Sequence, residues 1–464
     1  MKKGDIIQNI EIVDAGAKGV AVGRYENRVI FVAGAVPGDV VDVQISRKKS
    51  SFAEGWVHKY VKYSDDRVEP VCEHFGLCGG CRWQHLDYQR QLFFKEKEVK
   101  EAFVRIGKLQ VEQFYPILAA PEQYRYRNKL EYTFSCKRWF VHPNDSIENP
   151  DTNALGFHIP GKFDRILDIS TCHLQPEPSN AIRLWFREKA LQSGAGFFDH
   201  RQNSGFFRNL YVRNTSLGEV MIILVVFDDQ PELLDSLLSA FVKDFPEVSS
   251  VMYAINGKQN DTLTDIPVRL YAGKDHIMED MDGIRFSISP KSFFQTNTTQ
   301  SKAMYRKVKE FAQLTGSECV YDLYTGTGSI ANFISAGAKK VVGIEYLEDA
   351  VDDAARNAAL NGFTNLTFIA GDMARVFTAE FIDQHGKPDV IIADPPRAGM
   401  HADVVERIAE SGAARVVYVS CNPATQARDL ALLAEKYNVV EVQPLDMFPH
   451  TYHVENITLL KLKE

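Results

Sequence analysis

From about residue 300 the chain adopts a strand–helix–strand rhythm that leaves few folds open. Apolar runs at Cys319–Leu323, Lys340–Ile344, Leu366–Ala370, Asp389–Ala393 and Arg415–Ser420 alternate with helical stretches, the pattern of a doubly wound parallel sheet. In such a sheet the carboxyl ends of all strands open onto one crevice. Residues that follow different strands therefore become neighbours however far apart they lie in sequence, and the chemistry of the chain is expected there.

The first of these strands runs through Asp322-Leu323-Tyr324-Thr325-Gly326-Thr327-Gly328 into a helix. Glycines let a backbone approach a bound nucleotide closely. The next strand ends in Glu345, 17 positions after Gly328 and placed to accept hydrogen bonds from ribose hydroxyls; the third ends in Gly371-Asp372, where an adenine edge would lie. The turn lacks the full G-x-G-x-x-G of a dinucleotide site and carries an acid before the glycines, so S-adenosylmethionine is the expected cofactor. A sheet whose turns merely need glycine is the plainer reading.

Two further strand ends carry polar groups. One leads into Asp394-Pro395-Pro396-Arg397, the other into Cys421-Asn422-Pro423. A cysteine just past a strand, in a turn able to present its sulfur, is a candidate nucleophile, whereas Cys136 and Cys319 lie in or beside apolar strands and read as packing residues. Near the last strand, expected at Asn456–Leu462, the segment Asp446–Glu455 holds His450, His453 and Glu455. A zinc site on the histidine pair would need a third ligand from elsewhere, so Glu455 is preferred as a general base on a loop over the crevice. A thiolate, a base and a methyl donor in one pocket suit methylation at carbon 5 of uracil. That carbon becomes nucleophilic only once sulfur has added to carbon 6, and it must then lose a proton. The target base would have to leave its stack to enter.

The first 62 residues read as five short strands with glycines at the breaks: Ile6–Val13, Gly19–Tyr25, Arg28–Val32, Val40–Ser46 and Ala53–Val61. This suggests a small barrel of the OB type and resembles a TRAM domain, an RNA-binding module. A helix is expected from Tyr88 to Ile106 with Leu92, Phe93, Val99, Phe103 and Ile106 on its apolar face. Strand-like runs at Leu130–Ser135, Leu210–Arg213, Val220–Val226 and Val251–Asn256, with a helix at Ser179–Gln192, suggest a mixed α+β unit. The net charge of −8 is unusual for a binder of RNA, but residues 1–140 carry 23 Lys+Arg against 18 Asp+Glu. The basic excess lies where RNA contacts are expected. Tyr124-Arg125-Tyr126-Arg127-Asn128-Lys129 interleaves aromatics with cations, which suits stacking and phosphate contact or, more plainly, a charged edge strand. No run is apolar enough for a membrane span and the N-terminus has no secretion signal, so a cytoplasmic protein is expected.

The seven cysteines are an odd number, which argues for metal or catalytic thiols over a disulfide framework. Cys72-x5-Cys78-x2-Cys81 with a distant Cys172 offers four thiolates, and spacing alone favours neither zinc nor an iron–sulfur cluster.

Ser420-Cys421-Asn422-Pro423, the Asp446–Glu455 segment, Asp394–Arg397 and the stretch Ser289–Asn297 together resemble the RNA (uracil-5-)-methyltransferases, and most nearly their 23S ribosomal RNA branch of the RumA/RlmD type. The resemblance spans nearly the whole chain. It implies Cys421 as nucleophile and Glu455 as base. It places Gln295, Tyr324, Glu345, Asp372 and Asp394, with Gly326 and Gly328 of the turn, around S-adenosylmethionine. Phe293 is implied near the target base, and Arg127 and Lys129 are expected to face RNA. It favours a [4Fe–4S] cluster on Cys72, Cys78, Cys81 and Cys172, with a structural or RNA-positioning role. The family's usual cysteine in the glycine turn is Thr325 here. The fold implied is a multidomain α/β protein: an OB-like barrel at 1–62, a mixed α+β central domain at 63–87 and 120–276, and a Rossmann-like methyltransferase domain at 88–119 and 277–464. The expected partner is RNA, ribosomal first, acted on by a monomer. Transfer RNA is the alternative substrate. Amino methylation is the rival chemistry, because Asp394-Pro395-Pro396 resembles the signature of such enzymes; they need no cysteine and carry an aromatic where this chain has Arg397. A non-catalytic iron–sulfur RNA-binding protein is a rival from another class, and it would lack a nucleophile or base.

Overall fold

The computed structural model describes residues 1–16, 19–141 and 151–464. Ile6–Ala15, Ala21–Tyr25, Arg28–Ala33, Val40–Lys48 and Phe52–Lys62 close into a five-stranded barrel. Val41, Val43 and Ile45 point inward with Ile10, Ile12, Ile30 and Val32, as a period of two requires for a closed sheet filled by side chains. Asp39 fixes the exit of the chain: its buried carboxylate accepts from the amides of Val36 and Ser64 and from Arg67 at 2.7–2.9 Å.

The helix after the cysteine segment starts at Tyr88 because Asp87 caps the amide of Gln89, and it runs to Ala102. Residues 103–107 then form a wider π turn. This changes the face read from the sequence. Phe94, not Phe93, is buried beside Leu92, and Ile106 is 50% exposed because the extra residue in the turn rotates it away from the face that Val99 and Phe103 bury.

A seven-stranded, mostly antiparallel sheet follows, in the order Val268–Gly273, Ser250–Ile255, Val220–Val226, Phe207–Asn214, Lys129–Ser135, Ala154–His158, Ile166–Asp168. Helices Ser179–Ser193 and Pro231–Asp244 cover it through Ile182, Phe186, Leu238 and Phe241. Cys136 packs at the edge of this core and Cys319 against that of the next sheet.

The C-terminal sheet has eight strands, ordered Leu366–Ala370, Lys340–Glu345, Cys319–Leu323, Val390–Ala393, Arg415–Ser420, Glu455–Leu462, Tyr437–Leu445, Val111–Phe114. The pleat divides its apolar residues between two buried faces. Val320, Val341, Ile392 and Val417 go to one, and Tyr321, Val342, Ile391 and Val416 to the other. Both faces are covered, so the strands read as unbroken apolar runs. The edge strand Val111–Phe114 comes from the first third of the chain and pairs parallel with Tyr437–Leu445. Among the described residues no helix is long and apolar enough to cross a membrane.

Candidate active site

Four adjacent strands of this sheet end side by side, and the residues at their ends are the chemical ones. Tyr324 follows Cys319–Leu323, Asp394 follows Val390–Ala393 and Cys421 follows Arg415–Ser420. The fourth strand is antiparallel and so begins where its neighbours finish. Ser420 pairs with Asn456, which sets Cys421 across from Glu455. Directly opposed residues have β-carbons about 5 Å apart. Glu455 was expected on a loop and instead opens the last strand, paired with Leu445, so the sheet holds its backbone on one side and the 446–454 segment leads into it on the other. Behind Cys421 the chain turns at once into a helix, because Asn422 caps the amide of Ala424 and Pro423 is preset for the first helical position.

A cleft of about 1620 Å³ opens beside this row, lined by Gln295, Tyr324, Gly326, Glu345, Asp372 and Asp394, with Phe293 and Lys129 on its rim. Gly328 lies behind the wall with φ +72°, and a β-carbon there would meet Ala354 at 2.7 Å. Tyr324 also has positive φ, an unusual conformation for a bulky residue. Glu345 accepts from the amide of Gly326 at 3.0 Å, which fixes the turn. Asp372 caps the helix that starts at Met373. Asp322, which sequence reading left outside the site, is the turn's hidden brace. Its Oδ2 accepts from the Thr325 hydroxyl and the Ala331 amide, while its buried Oδ1 has no partner. The Thr325 hydroxyl thus has a defined role. Burial pushes Asp322 up to about 7. Its position just ahead of the glycines was the available signal.

Ser289–Asn297 forms the opposite wall. Ser289 and Ser292 bond Asp353, Asn128 donates to the carbonyl of Gln295, and Thr327 donates to that of Phe293. The Phe293 ring itself is 67% exposed.

Around Cys421, burial and then the Glu455 and Asp394 carboxyls push the thiol up to about 12, while Arg397 pulls it back. Glu455, 6% exposed, is held well above the usual carboxylate range by burial and by Asp394. Asp394 is itself raised to about 7. Three acids thus stand in a row, each with its pKa raised chiefly by burial. Arg397 opposes the shift at Cys421 and at Glu455.

The segment leading to Glu455 hangs from the N-terminal helix. Asp446 accepts from Lys95 at 2.6 Å and Tyr88 at 2.9 Å, and Lys95 also donates to the carbonyl of Phe448. Lys95 and Asp446 are both wholly buried. A lysine among the apolar positions of an amphipathic helix was the only sequence sign. Lys95→Met leaves a buried carboxylate without its cation, a loss of about 3–5 kcal/mol. Denaturant unfolding should register it, and part of the stability should return in the Lys95→Met/Asp446→Leu double variant.

A second cavity, of about 340 Å³, is lined by Cys72, Cys78, Cys81 and Cys172 together with Arg127. Among the described residues no group of three or more His, Cys, Asp or Glu side chains closes at the spacing of a single metal ion. Lys129 and Arg127, expected together on an RNA face, thus part company: Lys129 faces the large cleft and Arg127 the thiol cavity. Tyr126 is buried against the Asp446–Glu455 segment, which leaves Arg125 as the exposed member of the aromatic–cation run.

The chain matches the family model for tRNA (uracil-5-)-methyltransferases over residues 269–463 and that for the TRAM domain over residues 7–57. It is 50% identical to an RNA methyltransferase of Bacteroides thetaiotaomicron over 96% of this chain and 100% of that one. It is 49% identical to one of Porphyromonas gingivalis over 97% and 99%. Among solved structures, the Pyrococcus abyssi tRNA (uracil-54, C5)-methyltransferase in complex with S-adenosyl-L-homocysteine superposes with a TM-score of 0.76 at 28% identity, covering 98% of this chain and 100% of that one.

Proposed function

We propose, because the chain belongs to the S-adenosylmethionine-dependent uracil-5 family of RNA methyltransferases, that it methylates carbon 5 of a uridine through a transient bond from Cys421. The observation that carries this reading is the pairing of a thiol with a buried carboxyl at adjoining strand ends beside the glycine turn. Gln295, Tyr324, Gly326, Gly328, Glu345, Asp372 and Asp394 would hold the cofactor, whose cationic groups suit the unpartnered Asp322 Oδ1 and the acidic wall. S-adenosylmethionine, when bound, supplies an electrophilic methyl group. Phe293, exposed at the rim, would stack on the flipped base.

The electron pairs move as follows. Cys421 Sγ, its proton released to solvent, bonds to carbon 6, and the ring pair moves toward carbon 5 and oxygen 4. Carbon 5 then takes the methyl group. Glu455 accepts the proton from carbon 5, the ring double bond reforms, and the carbon 6–sulfur bond breaks with its pair returning to Cys421. The thiol is held protonated near neutrality, so sulfur addition is limited by its ionisation. Single-turnover methyl transfer is therefore expected to rise with pH throughout the neutral and alkaline range, toward the raised thiol value of about 12. A flat profile would count against the thiol.

The RNA is proposed to be 23S ribosomal RNA, with transfer RNA as the alternative that the Pyrococcus neighbour exemplifies. One chain carries every group the reaction needs, so a monomer suffices. Residues 88–119 are assigned with 277–464, a division supported by the edge strand Val111–Phe114. Mass spectrometry of nucleosides from separated ribosomal and transfer RNA, with and without the gene, decides the substrate. If 5-methyluridine is unchanged in both pools, the proposal fails.

Cys72, Cys78, Cys81 and Cys172 are proposed to hold a [4Fe–4S] cluster. The residues fit such a group. Their shared cavity is many times the ~30 Å³ of one water. Burial raises the Cys172 thiol and the Arg127 and Arg183 guanidiniums pull it back; Arg127, on the cavity wall, keeps a buried Nε without a partner, as befits the neighbour of a net-negative occupant. Iron and sulfide analysis of anaerobically purified protein tests this, and zinc alone would refute it.

A further inference from the structure

The segment that delivers Glu455 is held at Phe448, Pro449 and His450 by Arg127 of the four-cysteine cavity wall and by residues next to that wall in the chain. The Phe448 ring lies under the Arg127 guanidinium at 5.4 Å. The Pro449 carbonyl accepts from the Tyr126 hydroxyl at 3.0 Å. The His450 carbonyl accepts from the amides of Arg82 at 2.7 Å and Trp83 at 3.0 Å, the two residues after Cys81, and its ring rests on Tyr124 with centroids 4.4 Å apart. Thr451 lines the cavity itself. The same 124–127 strip is tied on its far side to the chain around Cys172, through the Arg125 amide to the His173 carbonyl and the Arg127 amide to that of Leu174.

His450 is the crossing point. Its backbone is left-handed at φ +64°, and Gln91 bonds both its amide and its ring. A non-glycine residue stays in that region only when its surroundings over-determine it. Here part of those surroundings is residues 72–83, which contain no helix or strand and take their internal order from a few turn bonds among Cys72, His74, Phe75 and Cys78. A segment with so little secondary structure depends on whatever ties its sulfurs together.

We propose that the occupant of the four-cysteine cavity sets the position of the base loop, so that Tyr126 and His450 are positioning residues for Glu455. The inference rests on the reading of Cys421 and Glu455 given above. It makes a specific claim about which step suffers. Sulfur addition and methyl transfer involve Cys421, which follows the neighbouring strand Arg415–Ser420 and has none of these contacts. Proton removal involves Glu455, four residues beyond Thr451. Loosening the cavity should therefore stall the reaction after methyl transfer.

The test compares iron-loaded with iron-stripped full-length protein and adds Tyr126→Phe, which deletes one hydrogen bond and leaves every cysteine in place. Hydrogen exchange is expected to quicken at residues 446–455 in stripped protein and in Tyr126→Phe, with the 322–328 turn unchanged. With unmodified RNA and methyl-labelled S-adenosylmethionine, both should accumulate a labelled protein–RNA adduct. Tyr126→Phe should lose about three- to tenfold in kcat, with KM for RNA unchanged. Unchanged exchange in Tyr126→Phe together with no extra adduct would overturn the coupling. If stripped protein unfolds, the Tyr126→Phe result decides alone. A loaded wild-type enzyme that never bonds to 5-fluorouridine RNA would instead remove the uridine reading, while the exchange comparison still decides whether cavity and loop move together.

Discussion

Replacing Cys421 with alanine is expected to reduce methyl transfer by at least about 10⁴-fold and to abolish capture on 5-fluorouridine RNA. The reason is chemical. Carbon 5 of uracil attacks a methyl donor only after a nucleophile has added at carbon 6, and among the described residues no other thiol shares this crevice. Cys319 lies at the start of its strand, at the end of the sheet away from the crevice, and Cys136 belongs to the other sheet. Serine should not rescue, since its hydroxyl ionises far less readily than a thiol. Folding should be unaffected because Cys421 is only partly buried and makes no side-chain hydrogen bond on which its turn depends. S-adenosylmethionine affinity, read by calorimetry, should stay within about threefold of wild type, since the sulfur is absent from the cleft wall. A Cys421→Ala protein that still forms 5-methyluridine would end the covalent reading, and one that transfers methyl to an amino group would restore the rival chemistry.

How much of this could be read in the sequence follows from the range of the interactions involved. Strand ends in a doubly wound sheet are neighbours by topology, so Tyr324, Asp394 and Cys421 could be brought together from periodicity alone. Alternation likewise marked the barrel, because a closed sheet with one wet face imposes a period of two. What escaped were contacts between segments with no common period. Lys95 and Asp446 are separated by 351 positions, and nothing in either neighbourhood announces the other. The edge strand Val111–Phe114 is four residues long and takes its conformation from Tyr437–Leu445 rather than from its own composition. The Tyr124–Lys129 run shows the limit from the other side. Aromatic–cation interleaving suits an RNA surface, but Tyr126 and Arg127 point inward to bracket the base loop, a choice made by the partner surfaces and not by the run itself.

Glu455→Gln is the second large effect, and its signature differs from that of Cys421→Ala in kind. Glutamine keeps the shape of the side chain but cannot take the carbon 5 proton, so kcat is expected to fall about 10²–10⁴-fold while the methylated adduct builds up and survives denaturing electrophoresis. The raised pKa supplies an independent check with a definite sign. A carboxyl whose folded pKa lies above its unfolded value binds its proton more tightly in the native state. Stability is therefore lost as pH rises past the unfolded value of about 4.3 toward the folded one. Glutamine cannot ionise and escapes that loss. The variant should match wild type in denaturant midpoint near pH 4 and exceed it near pH 8, becoming less active and more stable together. A residue that merely held the fold would show the opposite pairing. An equal or lower midpoint at pH 8 would mean that Glu455 is already ionised and compensated in the resting enzyme. The proton would then have to be taken by the neighbouring Asp394, whose own shift to about 7 makes it the next base in the row.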